Sequence, residues 1–336
     1  MDYVTGEILT FDGFKKGHIG FNKSKIIEIG NNNPPKKPLY KGIICPTFIN
    51  SHTHIGDSFI KDKKIKLPQK IEDLVAPPNG LKHKMLRESS DADIVEGMEK
   101  SIETMIKSGT KSFIDFREGG ILGIKQLKSA INSWKISSKI LSRPVDLFYH
   151  KNEIDILLNN SDGIGISSIS DWDYSELFKI SKHVKKKNKI FALHASERIR
   201  EDIDQILDLK PDFLIHMLKA TESDFISLKE NNIPIVICPR SSAFFNQKPN
   251  YELMKKIKNN FFIGTDNAML NSPSVIDEVK FIKNQTNLFS IYDLLYKVSY
   301  EARKALNLEC SILGQDFPAD FVVLDKKNLN TLYISK

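Results

Sequence analysis

The sequence predicts an α/β protein, a (β/α)8 TIM barrel with a small β-sandwich domain built from the N- and C-terminal segments. Three observations predict it. Eight apolar runs of strand length recur through the middle of the chain. Helical patterns separate most of them, as in a parallel sheet with crossover helices. Together they occupy about 260 residues, the size of such a barrel. The main rival is a doubly wound open sheet, which usually carries a glycine-rich phosphate loop after its first strand. Here the first run ends in His52-Thr53-His54 instead.

Residues 1–41 read as short strands and turns. Segments 5–10, 17–21 and 25–29 alternate or run apolar, broken by Gly13, Gly30 and the Asn31-Asn32-Asn33-Pro34-Pro35 stretch. The eight runs follow at 43–49, 111–116, 139–143, 163–169, 189–193, 212–215, 233–238 and 260–264. Segment 91–107 carries apolar residues at Ile94, Val95, Met98, Ile102, Met105 and Ile106, with Ser89 or Ser90 as N-cap. Segments 174–187, 201–209, 223–230 and 251–258 fit later crossovers. Residues 55–88 contain Pro68, Pro77, Pro78 and Gly80 without clear periodicity, and read as a functional loop. Segment 314–324 reads as a turn and then a strand that can pair with the N-terminal strands. The expected domains are 1–42 with 310–336, and a barrel at 43–309.

The net charge of +7 over 336 residues comes mostly from lysine. The Lys-rich stretches at 61–66, 185–189 and 255–258 read as solvated faces. No arginine-rich or aromatic-interleaved strip points to nucleic acid. Cys45, Cys238 and Cys310 stand far apart in apolar contexts, so buried thiols are expected and no disulfide framework. No C-x-x-C suggests cysteine-ligated zinc. The N-terminus lacks the pattern of a signal peptide, and no apolar run reaches membrane-spanning length. The expected location is cytoplasmic, with a small molecule as partner, and no nucleic acid or membrane.

On a strand, residues i and i+2 share a face, so His52 and His54 would project two imidazoles into one space. At this histidine content, chance alone gives about 0.2 such pairs per chain. Other strand ends add to the pair. Run five ends at His194, run six at His216 and run eight at Asp266. Three imidazoles and a carboxylate can hold one divalent zinc or iron(II) ion and leave room for water. Each residue alone has a plainer reading: His194 and His216 as core histidines, Asp266 as a turn or cap residue. Their joint arrival at strand ends favours a metal site, whereas His18, His83, His150 and His183 read as loop or helix-surface residues. Glu197, in His194-Ala195-Ser196-Glu197, can accept a proton from metal-activated water and deliver it to a leaving nitrogen. Its plainer reading is an acid in a helix's first turn.

In this order, these residues resemble the amidohydrolase superfamily over nearly the whole chain. Pro46 to His54 is similar to its first-strand motif. His194, His216 and Gly264-Thr265-Asp266-Asn267 match its later ligand positions, and Ala319 to Leu324 resembles its closing β-domain signature. His194-Ala195-Ser196-Glu197 and Ile237 to Ser242 are similar to the branch containing cytosine, guanine and S-adenosylhomocysteine deaminases and chlorohydrolases. The resemblance implies one zinc or iron ion on His52, His54, His194 and Asp266, with Asp266 assisting deprotonation. It implies that His216 contacts the substrate and that Glu197 shuttles the proton to departing ammonia. Two departures stand out. The fourth run offers no lysine or acid to bridge a second metal, and Ser242 stands where these deaminases often have asparagine. Relatives are often dimers or larger, so a homo-oligomer is an open expectation.

The function expected is hydrolysis of a non-peptide C–N bond, by deamination of a nucleobase, nucleoside or pterin-like heterocycle. Cyclic-amide hydrolysis or chlorohydrolase-type displacement is the alternative, and a non-catalytic barrel the remote one. Asp57, Lys82 and His83 are the candidate substrate-binding residues in the segment after the first run.

Overall fold

The computed structural model describes residues 1–305 and 313–335. Cys310 and the domain boundary drawn there lie outside the described residues. Cys45 and Cys238 are buried free thiols. The chain opens with β1 (Asp2–Thr10), β2 (Gly13–Phe21), β3 (Ile26–Gly30) and β4 (Tyr40–Pro46). Then come β5 (Phe48–His54), β6 (Thr110–Arg117), β7 (Ser137–Ser142), β8 (Gly163–Ile166) and β9 (Ile190–Ala195). They are followed by β10 (Phe213–His216), β11 (Ile235–Ile237), β12 (Phe261–Ile263) and β13 (Asp266–Asn267), and finally by β14 (Phe321–Leu324) and β15 (Thr331–Ile334).

Two compact units emerge, one of Met1–Asn50, Met105–Ser112 and Ser274–Lys336, the other of Ser51–Thr104 and Phe113–Pro273. In the first, both chain ends share one mixed sheet in the order β15-β14-β4-β1-β2-β3. β1 runs parallel to β4 and antiparallel to β2, while β14 is antiparallel to β4. Val4, Ile8, Ile19, Ile44, Phe321 and Val323 form its core. The described residues make a single sheet here, where a sandwich was expected.

The first apolar run needs correction. It splits at Thr47, and its apolar part, Ile43 and Ile44, pairs with Leu324 and Val323 in the mixed sheet. The strand that leads to the histidines is the more polar β5, buried along its whole length. Hydrophobic pattern assigns a run to a strand but not to a sheet. The other seven runs lie on β6 to β12, with ends shifted by a few residues.

The second sheet has the order β12-β11-β10-β9-β8-β7-β6-β5-β13. Pairings from β7 through to β12, and between β13 and β5, are parallel. One short segment therefore serves both margins of this sheet. Its β12 half pairs with β11, and its β13 half pairs with β5. Gly264 sits at the step between the halves. A Cβ there would meet His52 atoms at 2.7 to 2.9 Å, so only glycine permits this backbone approach.

Helices Asp91–Lys107, Gly120–Ile131, Lys151–Asn160, Tyr174–Lys186 and Glu222–Glu230 fall between strands. Ser90 caps the first, its Oγ accepting from the Asp93 N–H at 3.2 Å. Residues 55–88 are more ordered than a loop. They contain a 3-10 turn at Ile55–Asp57 and helices Phe59–Asp62, Ile71–Leu74 and Leu81–Glu88, mostly too short to show a helical period. Among the described residues, no helix is long and apolar enough to cross a membrane.

Candidate metal centre

β5 carries Asn50, Ser51, His52, Thr53 and His54 at buried positions. Such a run lacks the apolar signal of a core strand, but its period of two sets both imidazoles on one face. Their ring centroids are 4.8 Å apart. β9 brings His194 and β10 ends on His216, while Asp266 begins β13. His216 and Asp266 have φ of 78° and 61°, the left-handed region that costs energy for residues with a Cβ. Packing holds both in it and turns their side chains to one place. Donor atoms of His52, His194, His216 and Asp266 all lie within 4.8 Å of one another. His54 joins them, its Nε2 lying 3.3 Å from His194 Nε2 and 3.6 Å from Asp266 Oδ1.

The tautomer of one ring follows from its partner. His194 Nδ1 lies 2.8 Å from the Ile166 carbonyl oxygen, which only accepts, so that nitrogen carries the proton. His54 Nδ1 lies 2.8 Å from Glu118 Oε1. Lys82 and His54 overcome the effect of burial on Glu118 and hold its carboxyl well below the usual range, so a charged carboxylate faces His54 Nδ1. In its neutral form His194 then turns an Nε2 lone pair towards His54 Nε2 at 3.3 Å. A shared cation suits two ring nitrogens this close. Asp266 Oδ1 is likewise buried without a hydrogen bond, while Oδ2 accepts from Ser241 Oγ at 2.5 Å. Burial lowers the pKa values of His52, His54 and His194, that of His54 to about 3. Neutral imidazole is the form that ligates a metal. Burial would raise Asp266, but the nearby His52 and His216 outweigh it and keep the carboxyl low. The donor set, its protonation and its unsatisfied atoms all fit a divalent cation.

Glu197 Oε1 lies 3.5 Å from His216 Nε2. Burial raises the Glu197 carboxyl, and Asp266 adds to the shift against the pull of His216. Ile71, Val75 and Pro77 form an apolar wall of the pocket onto which Glu197, His194 and Asp266 open.

Lys82 is the one of the three candidate substrate-binding residues that lines this pocket. Its Nζ lies 2.6 Å from Glu118 Oε1 and donates to Asn267 Oδ1 at 2.9 Å. Asp57 is fully buried and accepts from the Met269 N–H at 2.9 Å, with its other oxygen 3.6 Å from Lys82 Nζ. His83 is directed to the Val75 carbonyl at 3.1 Å.

Sequence reasoning missed Glu118, Asp115 and Ser241. Glu118 follows β6 directly and joins His54, Lys82 and Arg117. Asp115 Oδ2 accepts from Thr53 Oγ1 and the Ile55 N–H, both at 2.8 Å, and fixes the end of β5. An acid beside the second run's end was the available signal. Ser242 bonds back to the Cys238 carbonyl at 3.0 Å, and its neighbour Ser241 reaches the metal-site carboxylate.

Residues 43–335 match the amidohydrolase family. An uncharacterized protein of Methanocaldococcus jannaschii is 35% identical over 98% of this chain and 88% of its own length. A 5-methylthioadenosine/S-adenosylhomocysteine deaminase of Pyrococcus abyssi is 21% identical over 93% of this chain and 81% of its own. Among solved structures, an aminofutalosine deaminase of Helicobacter pylori superposes with a TM-score of 0.74 at 15% identity, covering 97% of this chain and 92% of that one. That last likeness is one of fold.

Proposed function

The chain belongs to the amidohydrolase family and is a hydrolase acting on carbon–nitrogen bonds; from that premise we propose that it deaminates an amino-substituted heterocycle of nucleobase, nucleoside or pterin type. The observation that carries this reading is the placement of Glu197, a mostly buried carboxyl 3.5 Å from His216 Nε2 on the wall of the donor cluster. Deamination needs a group that takes a proton from water and returns it to nitrogen. A carboxyl whose pKa is raised by burial suits both steps.

We assign His52, His54, His194 and Asp266 to one cation, zinc first and iron(II) as the alternative. Bound there, it would act as a Lewis acid and lower the pKa of water. The chain's own groups supply the rest. Asp266, with Oδ2 fixed by Ser241, turns Oδ1 towards the attacking water as a proton acceptor. Glu197 carries a proton to the ring nitrogen and then to the departing amine, which leaves as ammonia. His216 orients the carbon under attack by hydrogen bonding to its substituent. Ile71, Val75 and Pro77 give a flat ring an apolar surface and exclude water from it. The parallel sheet is read as a (β/α)8 barrel whose eighth strand is split into β12 and β13. The site then lies at the strands' C-terminal ends, where such barrels place their chemistry.

The test is ammonia release by zinc- or iron-loaded protein from aminopurines, aminopyrimidines and aminopterins. Release from any class supports the reading. Hydrolysis without ammonia would replace it with cyclic-amide or halide chemistry, and no reaction across the panel would overturn it.

A further inference from the structure

Three cationic side chains line the pocket beside the donor cluster: Lys82, Arg143 and Arg198. Two are committed. Lys82 is held by Glu118 and Asn267. Arg198 Nη2 pairs with Asp171 Oδ1 at 2.5 Å and also donates to Ser170 Oγ. Arg143 differs. It follows β7 directly, and its backbone N–H donates to the Arg117 carbonyl, but among the described residues its guanidinium has no ion pair or hydrogen bond. The residue is only 7% exposed, and its Nε is buried without a partner.

The acids that act on this charge do not pair with it. Glu118 and Asp171 attract Arg143 through space, while Arg117 repels it. Yet Glu118 already serves Lys82, His54 and Arg117, and Asp171 serves Arg198. A guanidinium stays charged at any working pH. Leaving one buried and unpaired is costly, and a protein keeps such a group where a ligand completes it. The planar fork of an arginine matches the two oxygens of a carboxylate or phosphate. Neutral nucleobases offer no such group.

We propose that the substrate carries an oxyanion, a carboxylate or a phosphate, on the heterocycle or its substituent, and that Arg143 docks it. This rests on the deaminase reading and narrows it to acidic substrates. Arg143 sets specificity and binding, while the proton chemistry stays with Glu197.

The experiment uses matched pairs on the zinc-loaded protein: adenosine with adenosine 5′-monophosphate, pterin with pterin-6-carboxylic acid, and cytosine with 5-carboxycytosine. Ammonia release and thermal-shift binding are read on the unmodified protein, R143Q and R143K. The acidic member of at least one pair is expected to bind and react better. That preference should collapse in R143Q by about 30-fold or more, mainly in KM, and recover in part in R143K. The pair that shows it tells carboxylate from phosphate. R143Q should unfold no earlier than the unmodified protein, since it loses an unpaired buried charge. Equal losses on acidic and neutral members, or a preference that survives in R143Q, would overturn the proposal. So would the absence of any acid-selective binding. Acid-selective binding without ammonia release sustains the subsite and overturns the deaminase reading alone.

Discussion

Lys82 Nζ lies 2.6 Å from Glu118 Oε1, and both side chains are almost wholly buried. The same oxygen lies 2.8 Å from His54 Nδ1. One carboxylate therefore balances an ammonium and places negative charge beside an imidazole of the donor cluster. Glu118→Gln keeps the shape but removes the charge that orients His54. Metal affinity should fall by about 10- to 100-fold, read by competition with a chelator. Lys82→Met leaves Glu118 short of a cation and should cost about 3–5 kcal/mol in urea denaturation. An unchanged midpoint would show that Arg117 and His54 suffice.

Glu197→Gln should separate metal binding from turnover. The amide keeps the volume and cannot carry the proton. Metal content should stay at the level of the unmodified protein, while kcat falls by about 10²- to 10⁴-fold. Loss of metal together with activity would place Glu197 among the ligands instead.

Removing the metal should lower thermal stability, because it leaves the His52 ring nitrogens and Asp266 Oδ1 buried without partners. Returning zinc at about a thousand times its dissociation constant should restore roughly 4 kcal/mol. In His52→Ala the restoration should shrink or vanish. A melting temperature indifferent to chelator and zinc would speak against a native cation.

Asp57 gives a pH signature outside the ligand set. Burial raises its carboxyl from 3.8 to about 7, against the pull of Lys82. Between roughly pH 4 and 7 the native state keeps a proton that the unfolded chain has lost, so this group's contribution to stability falls as pH rises. Below that window there is no difference. Asp57→Asn can keep the bond from the Met269 N–H and abolishes the titration. In metal-free protein the variant should gain on the unmodified chain by up to about 4 kcal/mol between pH 4 and 7.5. Parallel stability curves for the two proteins would rule this out.

Much of the scaffold was legible because its strands are apolar and bounded. β10 ends on His216, β9 on the residue after His194 and β12 three residues before Asp266, so apolar strand ends lead to three of the donors. β5 was misplaced because a buried strand of Asn, Ser, Thr and His carries no hydrophobic signal, while the apolar β4 just before it does. His18 was read as a surface residue but is buried on β2, its Nδ1 2.7 Å from the Asn32 carbonyl. Glu118 and Arg143 escaped notice for a different reason. Each stands one residue past its strand, but their roles depend on which charges already have partners. That count exists only once residues far apart in the chain have met.

The pairing of β13 with β5 has a consequence for the order of biosynthesis. Asp266 aligns with Thr53, so the carboxylate donor meets the first two histidines only after more than two hundred further residues have left the ribosome. Until then the nascent chain presents imidazoles without their anionic partner. Binding of a cation by the full donor set would thus be a late event that reports completion of the parallel sheet, and a chain cut short before Asp266 cannot assemble that set.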